Sequence, residues 1–202
     1  MAKVLVIGAS RGIGLETVRT ALRAGHSVRA LARSATSMPI QNASLDKVSG
    51  DALDSETIRN ALQDIEAVIQ TLRVDISPRA VFERTTLFSL STRILVDAMK
   101  AAGLKRMIAV SLLYDVVVFP LLLKRVYDGK DVQEWIITSS GLDWTIVRPG
   151  LLTNRAPTGR YRVLTAPRDW RFGMISRADV ADFLVQQIDD RALIGTTPLL
   201  IN

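Results

Sequence analysis

Four apolar residues near the start of the chain, Val4 to Ile7, stop at Gly8, and two more glycines, Gly12 and Gly14, follow as a helical pattern begins. A continuous, partly β-branched run of this kind suits a parallel strand covered by helices on both faces. Beyond it, Ile13, Val18, Ala21 and Leu22 recur at spacings that lay one apolar stripe along a helix. Gly12 and Gly14 therefore fall in the turn and the first helical turn, where a missing Cβ lets an anion approach the backbone. Free N–H groups and the positive end of the helix dipole favour negative charge at that place. Three glycines between a buried strand and an amphipathic helix form the context in which such a motif holds a nucleotide pyrophosphate.

The rest of the chain repeats the strand and helix alternation. Strand patterns fall at 3–7, 27–32, 45–49, 66–71, 105–110 and 143–148. Helical patterns fall at 12–24, 55–62, 79–102, 121–139 and 177–189, three of them stopped by Gly25, Gly103 and Gly141. This alternation predicts an α/β fold, a doubly wound parallel sheet of Rossmann type with helices on both faces. The stretch from Gly159 to Gly173 interrupts it with a short strand at 161–164 and a polar, aromatic loop, and Pro198 to Ile201 reads as an added edge strand. At 202 residues and 48% hydrophobic content the chain fits one cofactor-binding domain spanning 1–202, with a small substrate-side region around 111–125 and 150–175.

Composition removes several function classes. The chain has no cysteine, which excludes disulfides, thiolate nucleophiles and cysteine metal sites and agrees with a reducing, cytoplasmic setting. Four apolar residues before Gly8 are too few for a signal peptide, and the longest apolar run, Val116 to Leu123, contains Pro120, so no membrane span is expected. The net charge of +6 is read as a scattered, solvated basic surface, and 5% aromatic content gives little to stack bases on, so no nucleic-acid partner is expected. His26, the single histidine, precedes the second strand at the wrong end of the sheet for a histidine triad, and no metal site is expected.

In an open sheet of this type ligands lie beyond the carboxyl ends of the strands. The residues selected by that rule are Gly8, Ser10, Arg11, Gly12, Ile13 and Gly14 after strand one, Arg33 after strand two and Asp51 after strand three. Strand four adds Thr71, Leu72 and Arg73, strand five Ser111, and strand six the stretch from Arg148 to Asn154, within which Pro149, Gly150 and Leu151 are the cofactor-binding candidates. An acid usually follows the second strand where NAD is preferred, accepting hydrogen bonds from the ribose. Arg33 stands there instead, with a planar donor set suited to a 2′-phosphate that Arg11 could share, so NADP(H) is expected over NAD(H). Asp51 either accepts from the adenine amino group or closes a turn, with Asp54 or Ser55 starting the helix.

These segments resemble the short-chain dehydrogenase/reductase superfamily over nearly the whole chain. GASRGIG from Gly8 is similar to its glycine motif and GDALD from Gly50 to its adenine-side acid; SGLDWTIVRPG from Ser140 and SRADVADFL from Ser176 are similar to its atypical, NAD(P)H-binding branch. That branch includes NmrA-like proteins and biliverdin reductase B-type flavin reductases, some catalytic and some cofactor sensors. The resemblance implies a serine at Ser111 and a lysine at Lys130, which would hold the nicotinamide ribose, with Glu134 completing a KxxxE pattern. The tyrosine position then falls on Val126, one residue from Tyr127, and one helical residue turns a side chain by about 100°. Either Tyr127 turns inward beside Lys130, eased by Gly129, or no tyrosine acid exists and the acceptor is a flavin or quinone able to take its proton from solvent. Tyr114, Phe119 and Leu122 would form an apolar rim for such an acceptor, or ordinary core. An NADPH-dependent reductase is the leading expectation and a non-catalytic NADP(H) sensor the second; a homodimer or a protein partner stays open.

Overall fold

The computed structural model describes residues 1–72, 87–111 and 132–202. Strands β1 (Lys3–Ile7), β2 (Ser27–Ala32), β3 (Leu45–Ser49), β4 (Ala67–Gln70), β5 (Arg106–Val110) and β6 (Asp143–Pro149) pair in parallel. Their order, β3-β2-β1-β4-β5-β6, is that of a doubly wound Rossmann-type sheet, and its reversal beside β1 opens a crevice at the carboxyl ends of β1 and β4. Helices α1 (Gly12–Arg23), α2 (Ser55–Ala61), α3 (Leu87–Ala101) and α5 (Arg177–Gln186) are joined by the described helical residues 132–138, α4.

Strand alternation divides the core between the two faces. Val4, Val6, Ile69 and Ile108 point toward α1 and α5, where Val18, Ala21, Val180 and Phe183 meet them. Leu5, Ile7, Val68 and Met107 point the other way, toward Ile58 of α2, Leu95 and Met99 of α3 and Ile137 of α4. All of these residues but Phe183 are 1% exposed or less, the two-sided burial that makes parallel strands read as unbroken apolar runs.

The last strand corrects the sequence expectation. β10 (Leu199–Ile201) is not an edge: it pairs in parallel with β6 and antiparallel with β8 (Arg162–Leu164), which takes the edge instead. Between β6 and α5 the chain therefore makes an excursion. It leaves through β7 (Leu151–Thr153), passes along β8, and returns as β9 (Met174–Ser176), which pairs in parallel with β7.

Three ties hold that excursion. Ser176 caps α5 by accepting the Asp179 N–H (2.9 Å), while the fully buried Asp179 carboxylate accepts from the Thr158 and Gly159 amides (2.8 and 2.9 Å). Burial works to raise the Asp179 pKa, but the Gly159, Ser176 and Thr158 donors outweigh it and hold the carboxyl below its usual value. The Tyr161 hydroxyl donates to Asp182 (2.8 Å). Trp170 donates its Nε1–H to the Leu164 carbonyl (3.0 Å) and lies under the Arg148 guanidinium, 4.8 Å from the ring centre.

Candidate functional site

The glycine loop is shaped by how closely its backbone must pass its neighbours. Gly8 sits at φ +83°, and a Cβ there would stand 2.9 Å from the Thr71 carbonyl oxygen. At Gly14 the added atom would lie 2.2 Å from the Gly8 carbonyl oxygen and 2.6 Å from Thr71 Oγ1. No side chain fits either place. Gly14 is thus required for packing α1 against the end of β1, a reason different from the anion approach expected from sequence. Thr71 is the other half of that contact: its hydroxyl donates to the Ile7 carbonyl (2.9 Å) and its amide to the same oxygen (2.9 Å).

The result is a helix start aimed into an open cavity of about 170 Å³ lined by Gly8, Ser10, Arg11, Arg33, Asp51, Thr71 and Leu72, among others. The N-cap residue Arg11 makes no side-chain cap and the first turn of α1 holds no acid, so among the described residues its leading N–H groups are open to an anion. Ile13 packs its side chain against the core, and Gly12, Ile13 and Gly14 are not among the residues that line the cavity. Arg33 is exposed on the cavity wall with no carboxylate partner among the described residues. Asp51 takes the turn role: its Oδ1 accepts the Leu53 N–H at 3.0 Å, while Asp54 caps α2 through Glu56, Thr57 and the Thr57 hydroxyl. The Thr57 hydroxyl, and behind it the Glu56 amide, hold the Asp54 carboxyl below its ordinary pKa.

The remaining candidates lie farther along the sheet edge, outside that cavity. Ser111 follows β5, donates its amide to the Val147 carbonyl (2.9 Å) and is 2% exposed. Its hydroxyl has no hydrogen-bond partner among the described residues. Pro149 is buried at the end of β6, and Gly150 packs so tightly that a Cβ would stand 2.4 Å from the Gly173 carbonyl oxygen. Leu151 turns outward at 58% exposure, with Phe172 at 63% and Met174 at 41% nearby; Leu151 and Met174 are direct partners across β7 and β9. Arg73, Tyr114, Phe119, Leu122, Val126, Tyr127, Gly129 and Lys130 lie outside the described residues.

Two features escaped the sequence reading. Glu134 pairs with Arg148 of β6 (3.2 and 2.5 Å), a partner fourteen residues away that helical spacing from Lys130 did not bring to attention. The basic residues are also less scattered than their total suggests. Residues 154–173 hold five arginines against one aspartate, a net +4 of the chain's +6, and a running charge count along the sequence would have found this.

At the opposite end of the sheet His26 and Arg106 are tied to backbone, while the Gln187 Oε1 beside Arg106 is buried without a hydrogen-bond partner among the described residues. His26 is buried and its Nδ1 accepts the Ala2 N–H (3.2 Å). Arg106, 6% exposed, donates to the carbonyls of Gln187 (2.9 and 2.7 Å) and Asp143 (2.9 Å) and to the Thr145 hydroxyl (3.0 Å). Burial, helped by nearby Arg191, pulls its pKa down to about 10. It clamps the carboxyl end of α5, where a cation also meets the negative end of the helix dipole.

Comparison with known proteins agrees with this geometry. Residues 8–191 match the NAD(P)H-binding family. A Bacillus subtilis protein named as an uncharacterized sugar epimerase, YhfK, is 32% identical over 199 residues, covering 94% of this chain and 89% of that one. Three further curated relatives are longer, and this chain spans 38%, 44% and 58% of their lengths. Among solved structures, ChuY, an anaerobilin reductase of Escherichia coli O157:H7, is 27% identical with a TM-score of 0.78, covering 98% of this chain and 96% of that one. A Veillonella parvula short-chain dehydrogenase/reductase in complex with NADP shares the fold at 17% identity and a TM-score of 0.81, covering 100% and 94%. No helix among the described residues is long and apolar enough to cross a membrane. The chain belongs to the NAD(P)H-binding family, a Rossmann-fold oxidoreductase family similar to the atypical short-chain dehydrogenase/reductases.

Proposed function

We propose that the protein is an NADPH-dependent reductase of a small conjugated acceptor such as a flavin or quinone. When bound, the dinucleotide supplies the hydride. The chain's part is to hold and orient it. The α1 N–H groups and the loop from Gly8 to Gly14 receive the pyrophosphate, Arg33 with Arg11 the 2′-phosphate, and Asp51 the adenine side through the oxygen not committed to Leu53. Thr71 and Leu72 wall the same cavity, and Pro149, Gly150 and Leu151 border the nicotinamide end, with Lys130 and Arg73 assigned there by their sequence positions. Residues 1–202 act as one unit, with 111–125 and 150–175 on the acceptor side.

The observation that carries the enzymatic reading is the buried Ser111 hydroxyl without a partner among the described residues. A buried hydroxyl left unpaired costs about 1–3 kcal/mol, a cost more readily retained where a ligand completes the bond. The similarity to an anaerobilin reductase points the same way. Val126 at the tyrosine position favours an acceptor that takes its proton from solvent over a carbonyl; it is also what favours the second reading, a cofactor sensor without turnover.

The test is to follow NADPH absorbance with the purified protein against flavins, quinones and aldehydes, using Gly12→Asp as the blank. Gly12 sits at φ +60°, and aspartate there adds both strain and a charge that repels phosphate. Acceptor-dependent oxidation lost in the variant is the expected result. Tight NADPH binding without oxidation by any acceptor would replace the reductase with the sensor.

A further inference from the structure

We propose that the acceptor carries acidic groups, carboxylate or phosphate, on a planar apolar body that rests on Leu151, Phe172 and Met174 while Arg162 and Arg171 receive the acidic groups. This rests on the reductase reading and narrows it to a chemical class. The excursion between β7 and β9 holds Arg155, Arg160, Arg162, Arg168 and Arg171, all exposed and none with an ion-pair partner among the described residues. Like charges gathered on a short segment repel one another, and they also draw an anion to it.

Strand register puts the relevant part of that charge at the working end of the sheet. Arg162 is paired with Ile201, the last residue of β10, which runs parallel to β6. Ile201 in turn packs beneath both Gly150 and Gly173, where added Cβ atoms would stand 3.0 and 2.7 Å from its side chain. Gly173 accepts the Leu151 N–H (2.9 Å) and follows Arg171 and Phe172 directly. The segments bearing Arg162, Arg171 and Phe172, and the β7 and β9 strands bearing Leu151 and Met174, thus converge on Ile201: Arg162 as its strand partner, the others through Gly150 and Gly173. Trp170 is committed to Arg148 and Leu164, so the segment is held in place before any ligand arrives. A preset surface of apolar side chains rimmed by unpaired arginines matches a flat molecule with acidic substituents better than a neutral one.

Equilibrium binding to the NADP⁺-saturated protein tests this without turnover. FMN and riboflavin share one ring system and differ by a phosphate; a carboxylated naphthoquinone and its uncharged parent make the second pair. The account expects the charged member of at least one pair to bind about tenfold more tightly at low salt. That preference should vanish in Arg162→Ala/Arg171→Ala and at high ionic strength, with NADP⁺ affinity unchanged. The pair showing the larger gap identifies the acidic group. Equal affinities within both pairs, or no binding of any of the four, overturn the proposal, as does displacement of FMN by a short single-stranded oligonucleotide, which would assign the arginines to a nucleic acid. A charge preference in binding without NADPH oxidation by either flavin or quinone would instead retire the reductase reading and leave the anionic site standing.

Discussion

The two ends of the sheet treat polar groups in opposite ways. At the amino end His26 and Arg106 are buried and bonded to backbone, and their job is finished within the fold. At the carboxyl end the α1 amides, the Arg33 guanidinium and the Ser111 hydroxyl have no such completion among the described residues. Buried or concentrated polar groups are costly unless paired. The α1 amides, Arg33 and the Ser111 hydroxyl, gathered at the carboxyl ends of the strands, therefore mark where a ligand can complete them; near the amino end Gln187 Oε1 is the buried side-chain atom left unpaired among the described residues.

The contrast breaks most severely at Gly14. Gly14→Ala has to displace backbone as well as a threonine side chain, so α1 should shift off β1 and NADPH binding should be lost altogether, as calorimetry would register. Arg106→Leu is the matching change at the opposite end. Stranding several buried carbonyls should cost about 3 kcal/mol, roughly 6–12 °C in Tm for a chain of this size. NADPH affinity in the folded fraction should stay unchanged, and a loss of affinity as large as that of stability would erase the distinction between the ends.

Smaller changes sharpen it. Arg33→Asp should reverse the preference for NADPH over NADH, by tenfold or more in the ratio of Kd values, roughly one charge-assisted hydrogen bond. Asp179→Asn should destabilise the excursion by about 2 kcal/mol at neutral pH. Because the folded Asp179 pKa is lowered, its contribution is present above the unfolded value near 4 and fades as pH falls through the folded one. Wild type and variant should therefore begin to converge in urea titrations as pH falls below about 4, and meet below the folded Asp179 pKa. Ser111→Ala is expected to lower kcat about tenfold, the equivalent of one hydrogen bond in the reacting complex. Its Tm should hold, since no protein hydrogen bond among the described residues is removed.

What could be read from the sequence divides along the same line as the structure. The doubly wound sheet and the glycine loop were legible because they rest on local patterns: unbroken apolar strands, a helical stripe, and glycines where the backbone turns. The long-range arrangements were not. β10 joins β6 across some fifty residues, and three residues of apolar chain carry no sign of whether they will end a sheet or sit inside it. Glu134 was read against its helical neighbour Lys130 because spacing within a helix is visible and a strand partner is not. Asp51 shows a subtler limit: a short acid after a strand serves a turn or a ligand equally well, and here one oxygen is already spent on Leu53.

The central claim, that the carboxyl end is a working reductase site, is met most directly by a single-turnover experiment. NADPH carrying deuterium at the transferred position is bound to the protein and mixed with excess acceptor, and its oxidation is followed beside that of ordinary NADPH. The account predicts acceptor-dependent oxidation that slows with deuterium in the wild-type protein and disappears in Gly12→Asp. Bound NADPH that outlasts every acceptor unchanged would contradict it.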